Sequence, residues 1–122
     1  MRLRTKLMAG LAAAAMVLGG AAVAQKTQFI SVLTGGQSGV YYPLGVALAQ
    51  ILGESVEGAR ATAQVTKASA ENMNLLEAGR GELAFALGDT VLDAWNGREE
   101  AGFKQPLKNL RGFSATYNNV IQ

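Results

Sequence analysis

The stretch 29–55 constrains the fold more than any other part of the chain. Phe29-Ile30-Ser31-Val32-Leu33 is a short apolar run with the composition of a buried strand. It stops at Thr34-Gly35-Gly36, and a helical pattern follows over Tyr41–Ser55. Pro43 falls in the first turn of that helix, where a missing N–H has no intrahelical partner to lose. Leu44, Leu48, Ile51 and Leu52 recur at i, i+4, i+7 and i+8 and predict one apolar face. Gly58 closes the segment.

The same alternation recurs along the chain. Residues 60–66 predict a second strand, with Ala61, Ala63 and Val65 on one face. A second helix is predicted over 70–78, with Ser69 as N-cap and Gly79 at a stop that needs positive φ. Met73, Leu76 and Leu75 supply its buried side. Residues 83–87 are continuously apolar, the pattern of a strand covered on both faces. Asp89 is placed to cap a short third helix that holds Val91, Leu92 and Trp95 and ends at Gly97. A fourth strand is predicted near 110–115. The order β-α-β-α-β-α-β predicts an α/β fold with a largely parallel, doubly wound sheet and right-handed crossovers.

Residues 1–24 stand apart from this pattern. Arg2, Arg4 and Lys6 form a positive start, residues 7–18 are apolar, and Ala22-Val23-Ala24 offers small residues at the positions a signal peptidase reads. This is the layout of a secretory signal, with cleavage expected between Ala24 and Gln25. The apolar run is short for a membrane span of about 20 residues. A periplasmic mature chain, residues 25–122, is therefore expected.

Charge and composition then remove several classes of function. Without the three leader cations, 11 basic and 9 acidic residues become 8 and 9. No basic run tracks phosphates, so nucleic acid is not an expected partner. The chain has no Cys and no His. That removes disulfides, imidazole and thiolate metal sites, Ser-His triads and Cys nucleophiles. No catalytic residue, metal or cofactor is expected, and an enzyme is the least supported class.

In doubly wound sheets ligands sit beyond the carboxyl ends of the strands. That rule selects three stretches here: 34–42, 66–72 and 88–90. The first, Thr34-Gly35-Gly36-Gln37-Ser38-Gly39-Val40-Tyr41-Tyr42-Pro43, leaves backbone N–H groups free at a helix N-terminus, which favours an anion. The glycines also suit a plain tight turn. Val40-Tyr41 stands where a phosphate-binding P-loop needs Lys and Ser or Thr, and the G-G-x-x-G spacing is not a dinucleotide fingerprint. Tyr41 and Tyr42 point about 100° apart on a helix, so one can face a cleft while the other packs. Thr66, Ser69 and Asn72 line the second stretch, and capping competes with ligand contact for Ser69 and for Asp89. Asp89 with Asp93 makes no convincing acid/base pair.

With these residues in view, the chain resembles the TAXI family of TRAP-transporter solute-binding proteins over nearly all of 29–122. The resemblance is carried by Thr34-Gly35-Gly36 with Gly39-Val40-Tyr41-Tyr42-Pro43-Leu44-Gly45, and by Ser69 with Asn72-Met73-Asn74-Leu75-Leu76. Gly88-Asp89, Asp93-Ala94-Trp95-Asn96-Gly97 and Asn109-Leu110-Arg111 complete it. It implies a periplasmic binding protein-like fold of type II, of which this chain holds the first lobe. It implies capture of a small carboxylate or amino acid, of the glutamate, glutamine or dicarboxylate class. Delivery to a TRAP membrane permease without ATP hydrolysis follows from the same resemblance; a periplasmic sensor or accessory binding module is the alternative. By motif position the ligand-binding candidates are Gly36, Tyr41, Thr66, Ser69, Asn72 and Asp89. Two positions depart from the family pattern: Lys67-Ala68 stands where a glycine pair is common, and Gly88 where a polar residue is common. Family members are roughly twice this length or more, so the chain is expected to stop near the crossover to a second lobe.

Overall fold

Val32 and Leu33 are fully buried, and they sit at the end of the central strand. The computed structural model describes residues 26–120; the expected leader and its cleavage point lie outside them. Strand β1 (Gln28–Leu33) is flanked by β2 (Ala59–Gln64) and β3 (Leu83–Ala84) in a parallel sheet of order β2-β1-β3. β1 and β2 align along their whole length, from Gln28 opposite Ala59 to Leu33 opposite Gln64. β3 meets β1 only at Val32 with Leu83 and Leu33 with Ala84.

The first helix, α1 (Tyr41–Ser55), covers one face of this sheet. Its buried stripe differs from the predicted one. Gly45 and Ala49 are buried, Leu48 and Leu52 pack beside them, and Ile51 is 57% exposed. The cause is close approach: a Cβ on Gly45 would run into Thr34 Cγ2. A small residue lets the helix sit on the end of β1, and that rotates the larger Leu44 and Ile51 toward solvent.

Helices α2 (Ser69–Glu77) and α3 (Gly88–Asn96) contribute to a second cluster. Met73 of α2 and Ala94 of α3 pack there with Phe103, Leu107 and Leu110. Residues 83–86 show how the two clusters divide. Leu83 and Phe85 pack with α1, whereas Ala84 and Ala86 pack with the α2/α3 cluster, as the two-residue period of extended chain requires. Helices therefore cover both faces, and the chain is a doubly wound α/β fold consistent with a periplasmic-binding-protein-like first lobe.

Three strand expectations change. The second strand ends at Gln64, and Val65 is half exposed because the chain turns toward α2. The third is shorter than 83–87. Phe85 N–H still donates to Leu33 O at 3.0 Å, but the Phe85 carbonyl and the Leu87 N–H take side-chain partners from α2 instead of a ladder. The fourth, near 110–115, is not a strand. A strand needs a partner ladder, and Phe113 is 85% exposed with no paired neighbour among the described residues.

The chain after α3 turns on Gly97, which has φ 66° and sits where a Cβ would strike Pro106. Leu107 N–H then donates to Ala94 O at 2.9 Å. This turn, with a single 3-10 turn at Glu99–Ala101, brings Phe103 and Leu107 under α3. Burying a side chain the size of Phe103 completely is worth about 3 kcal/mol.

Candidate functional site

Sheet order places the site. The chain runs from β1 to β2 on one side, then returns past β1 to β3 on the other. The strand order reverses at β1, and a crevice opens beyond the carboxyl ends of β1 and β3. A cavity of about 510 Å³ lies there. It is lined by Tyr41, the first residue of α1, by residues 85–89 and by residues 116–119.

Thr34 joins the first two predicted stretches. It is fully buried, its Oγ1 donates to Gln64 O at 2.6 Å, and its carbonyl accepts from two side chains. Thr66 Oγ1 donates to it at 3.1 Å and Asn72 Nδ2 at 2.7 Å. Asn72 Nδ2 also donates to Phe85 O at 2.8 Å. Ser69 Oγ accepts the Leu87 N–H at 3.0 Å. Thr34 thus ties the end of β1 to that of β2, and α2 with the turn before it holds the ends of β1 and β3.

The six candidates fall into different places. Tyr41 and Asp89 line the cavity. Thr66, Ser69 and Asn72 hold the strand ends together behind it. Gly36 is an exposed turn residue whose carbonyl accepts the Gly39 N–H at 2.9 Å. Ser69 is not the N-cap of α2 but its first residue, so its hydroxyl is free to reach Leu87. Asp89 likewise lies inside the first turn of α3, where its Oδ1 accepts the Thr90 N–H at 2.6 Å. Residues 88–90 are therefore helix, not loop.

The N-cap position of α2 belongs to Ala68, at φ 67° and ψ −147°. It is the only non-glycine with positive φ among the described residues. This conformation suits glycine. Thr66 Oγ1 accepts the Ala68 N–H at 3.0 Å, and Glu71 Oε2 accepts the Lys67 N–H at 2.5 Å, which together fix the turn.

The three helix N-termini differ electrostatically. Asp89 lies in the first turn of α3 and Glu71 in that of α2, so each offers its own negative charge to the dipole. The first turn of α1 has no acidic residue. Its positive end opens at Tyr41, on the cavity.

Residue composition alone did not mark Phe85, Ala86, Leu87 or Tyr117. Phe85 stacks on Tyr41 with ring centroids 5.6 Å apart and an interplanar angle of 23°. Desolvation and the neighbouring Tyr41 raise the Tyr117 pKa above its ordinary value. The strand-end rule that selected 88–90 also points at Phe85, three residues earlier, but a preference for polar side chains hides it.

A model of the NMT1-like family matches residues 32–122, from the second half of β1 to the last residue. The chain belongs to the NMT1-like family. This family is related to periplasmic binding proteins, the TAXI type among them. The NMT1-like match takes in all six candidates and every residue lining the cavity. Membership supports a substrate-binding role with a small-molecule ligand.

Proposed function

We propose that this chain forms the ligand-capturing part of a TAXI-type solute-binding protein, secreted by a cleaved leader into the periplasm. In this reading it binds a small carboxylate or amino acid and hands it to a TRAP-type membrane permease, and it performs no covalent chemistry. The observation that carries the proposal is the N-terminus of α1. It lacks a carboxylate of its own and opens on a cavity where the strand order reverses. A ligand carboxylate would supply the missing negative charge.

Calorimetric titration with L-glutamate, L-glutamine, L-leucine and succinate tests the binding role. Heat of binding from at least one of them supports it, and no heat from any of them refutes it. Uptake into vesicles that hold a candidate permease tests the transport role. Accumulation that depends on the added chain supports transport. Binding without such dependence favours the sensor alternative.

A further inference from the structure

The cavity beside α1 carries a charge pattern narrower than the capture of any small anion requires. Among the described residues that line it there is no Lys and no Arg, and the single charged group is Asp89. Oδ2 of Asp89 takes part in no hydrogen bond or ion pair among the described residues. Asp89 already gives α3 the negative charge that its N-terminus favours. A second ligand carboxylate brought to this side would meet like charge with no cation to offset it. Tyr41 stacked on Phe85, with Leu87 and Tyr117, gives the lining an aromatic and apolar stretch, and Thr116, Asn118 and Asn119 add only neutral polar groups.

We propose that this site selects an amino acid with an apolar side chain. The ligand carboxylate lies at the N-terminus of α1 and its ammonium against Asp89. Its side chain lies on the aromatic wall of Tyr41, Phe85 and Tyr117. An ammonium suits both a carboxylate and the face of an aromatic ring, and a dicarboxylate suits neither. The inference rests on the binding role proposed above and narrows it, because glutamate and succinate rank below apolar amino acids.

The test is calorimetry on the full chain with L-phenylalanine, L-leucine, L-glutamate, succinate and phenylpropanoate, which is phenylalanine without its ammonium. Phenylalanine is expected to bind about tenfold or more tightly than phenylpropanoate, the scale of one hydrogen-bonded charge pair. Glutamate and succinate are expected to be weaker than phenylalanine. Asp89→Asn, with its fold checked by its unfolding midpoint, should close the gap between phenylalanine and phenylpropanoate. Phe85→Leu should weaken phenylalanine more than leucine. Glutamate or succinate binding more tightly than phenylalanine overturns the inference and leaves the binding role standing. An unchanged gap in Asp89→Asn overturns it as well. Silence from all five compounds overturns both.

Discussion

Asn72 Nδ2 lies 2.7 Å from Thr34 O and 2.8 Å from Phe85 O, so one amide joins the ends of β1 and β3 to α2. Phe85 lines the crevice, whereas Thr34 and Asn72 are fully buried. The amide oxygen Oδ1 is also buried and accepts no hydrogen bond among the described residues.

Replacing Asn72 should therefore cost stability unevenly. In Asn72→Leu, Thr34 O keeps the Thr66 hydroxyl, but Phe85 O loses its side-chain donor. An orphaned buried carbonyl costs about 1–3 kcal/mol, partly offset because the unpartnered Oδ1 goes too. Urea unfolding should show a net loss of about 2 kcal/mol. Asn72→Asp should lose more, because a carboxylate would face two carbonyl oxygens with nothing to donate.

Ala68→Gly should stabilise the chain. A non-glycine residue held at φ 67° and ψ −147° carries about 1–3 kcal/mol of backbone strain. Glycine removes that strain but makes the unfolded chain more flexible, which costs up to about 1 kcal/mol. A higher urea midpoint with an unchanged slope is the expected result. A lower midpoint would mean that Ala68 is not strained.

Gly45 and Gly53 share α1 but should respond to alanine with opposite signs. Alanine gains about 1 kcal/mol of helix propensity over glycine at either position. At Gly53 nothing lies within 4 Å of the added methyl, so the gain remains. At Gly45 the methyl collides with Thr34 Cγ2, and overpacking of this kind costs about 1–3 kcal/mol. Thermal unfolding should rank Gly53→Ala above the parent chain and Gly45→Ala below it.

Lys108 should report on the end of α3. Its Nζ lies 4.2 Å from the Trp95 ring centroid and 2.6 Å from the Trp95 carbonyl oxygen. Trp95 is the only tryptophan, so intrinsic fluorescence reads this contact directly. Lys108→Ala should change the emission intensity while costing less than about 1 kcal/mol, since both groups are exposed. An unchanged spectrum would show that the ammonium does not rest on the ring in solution.

Much of this architecture is legible in the sequence because glycine and hydrophobic period act locally. Helix α1 runs over Tyr41–Ser55 as predicted, and Gly58, Gly79 and Gly97 all take positive φ at the turns they were expected to make. The errors arise where distant contacts decide. The i, i+4, i+7 pattern favoured Leu44 and Ile51, yet contact between Gly45 and Thr34 sets the buried stripe. Residues 85–87 look like strand, but Asn72 and Ser69, more than ten residues away, take their backbone groups. Phe103 and Leu107 enter the core from a stretch with no regular period, so no window of sequence could reveal them. In the candidate site, the stretches chosen by the strand-end rule contribute Tyr41, Gly88 and Asp89 to the cavity lining, and none of 66–72. The aromatic wall went unseen because an apolar residue at a strand end looks like ordinary core.

The division of the core between the two sheet faces has a consequence for local opening. Ile30, Val32 and Ala49 hold β1 to α1, whereas Met73, Ala94, Phe103, Leu107 and Leu110 hold the later segments. β3 joins β1 through only two aligned residue pairs. Amide exchange should therefore reveal two protection tiers, with slow deuterium uptake across β1 and β2 and earlier uptake across α3 and the chain that follows it. Asp89 and residues 116–119 would belong to the faster tier and Tyr41 to the slower, so one part of the cavity lining would breathe against a steadier part.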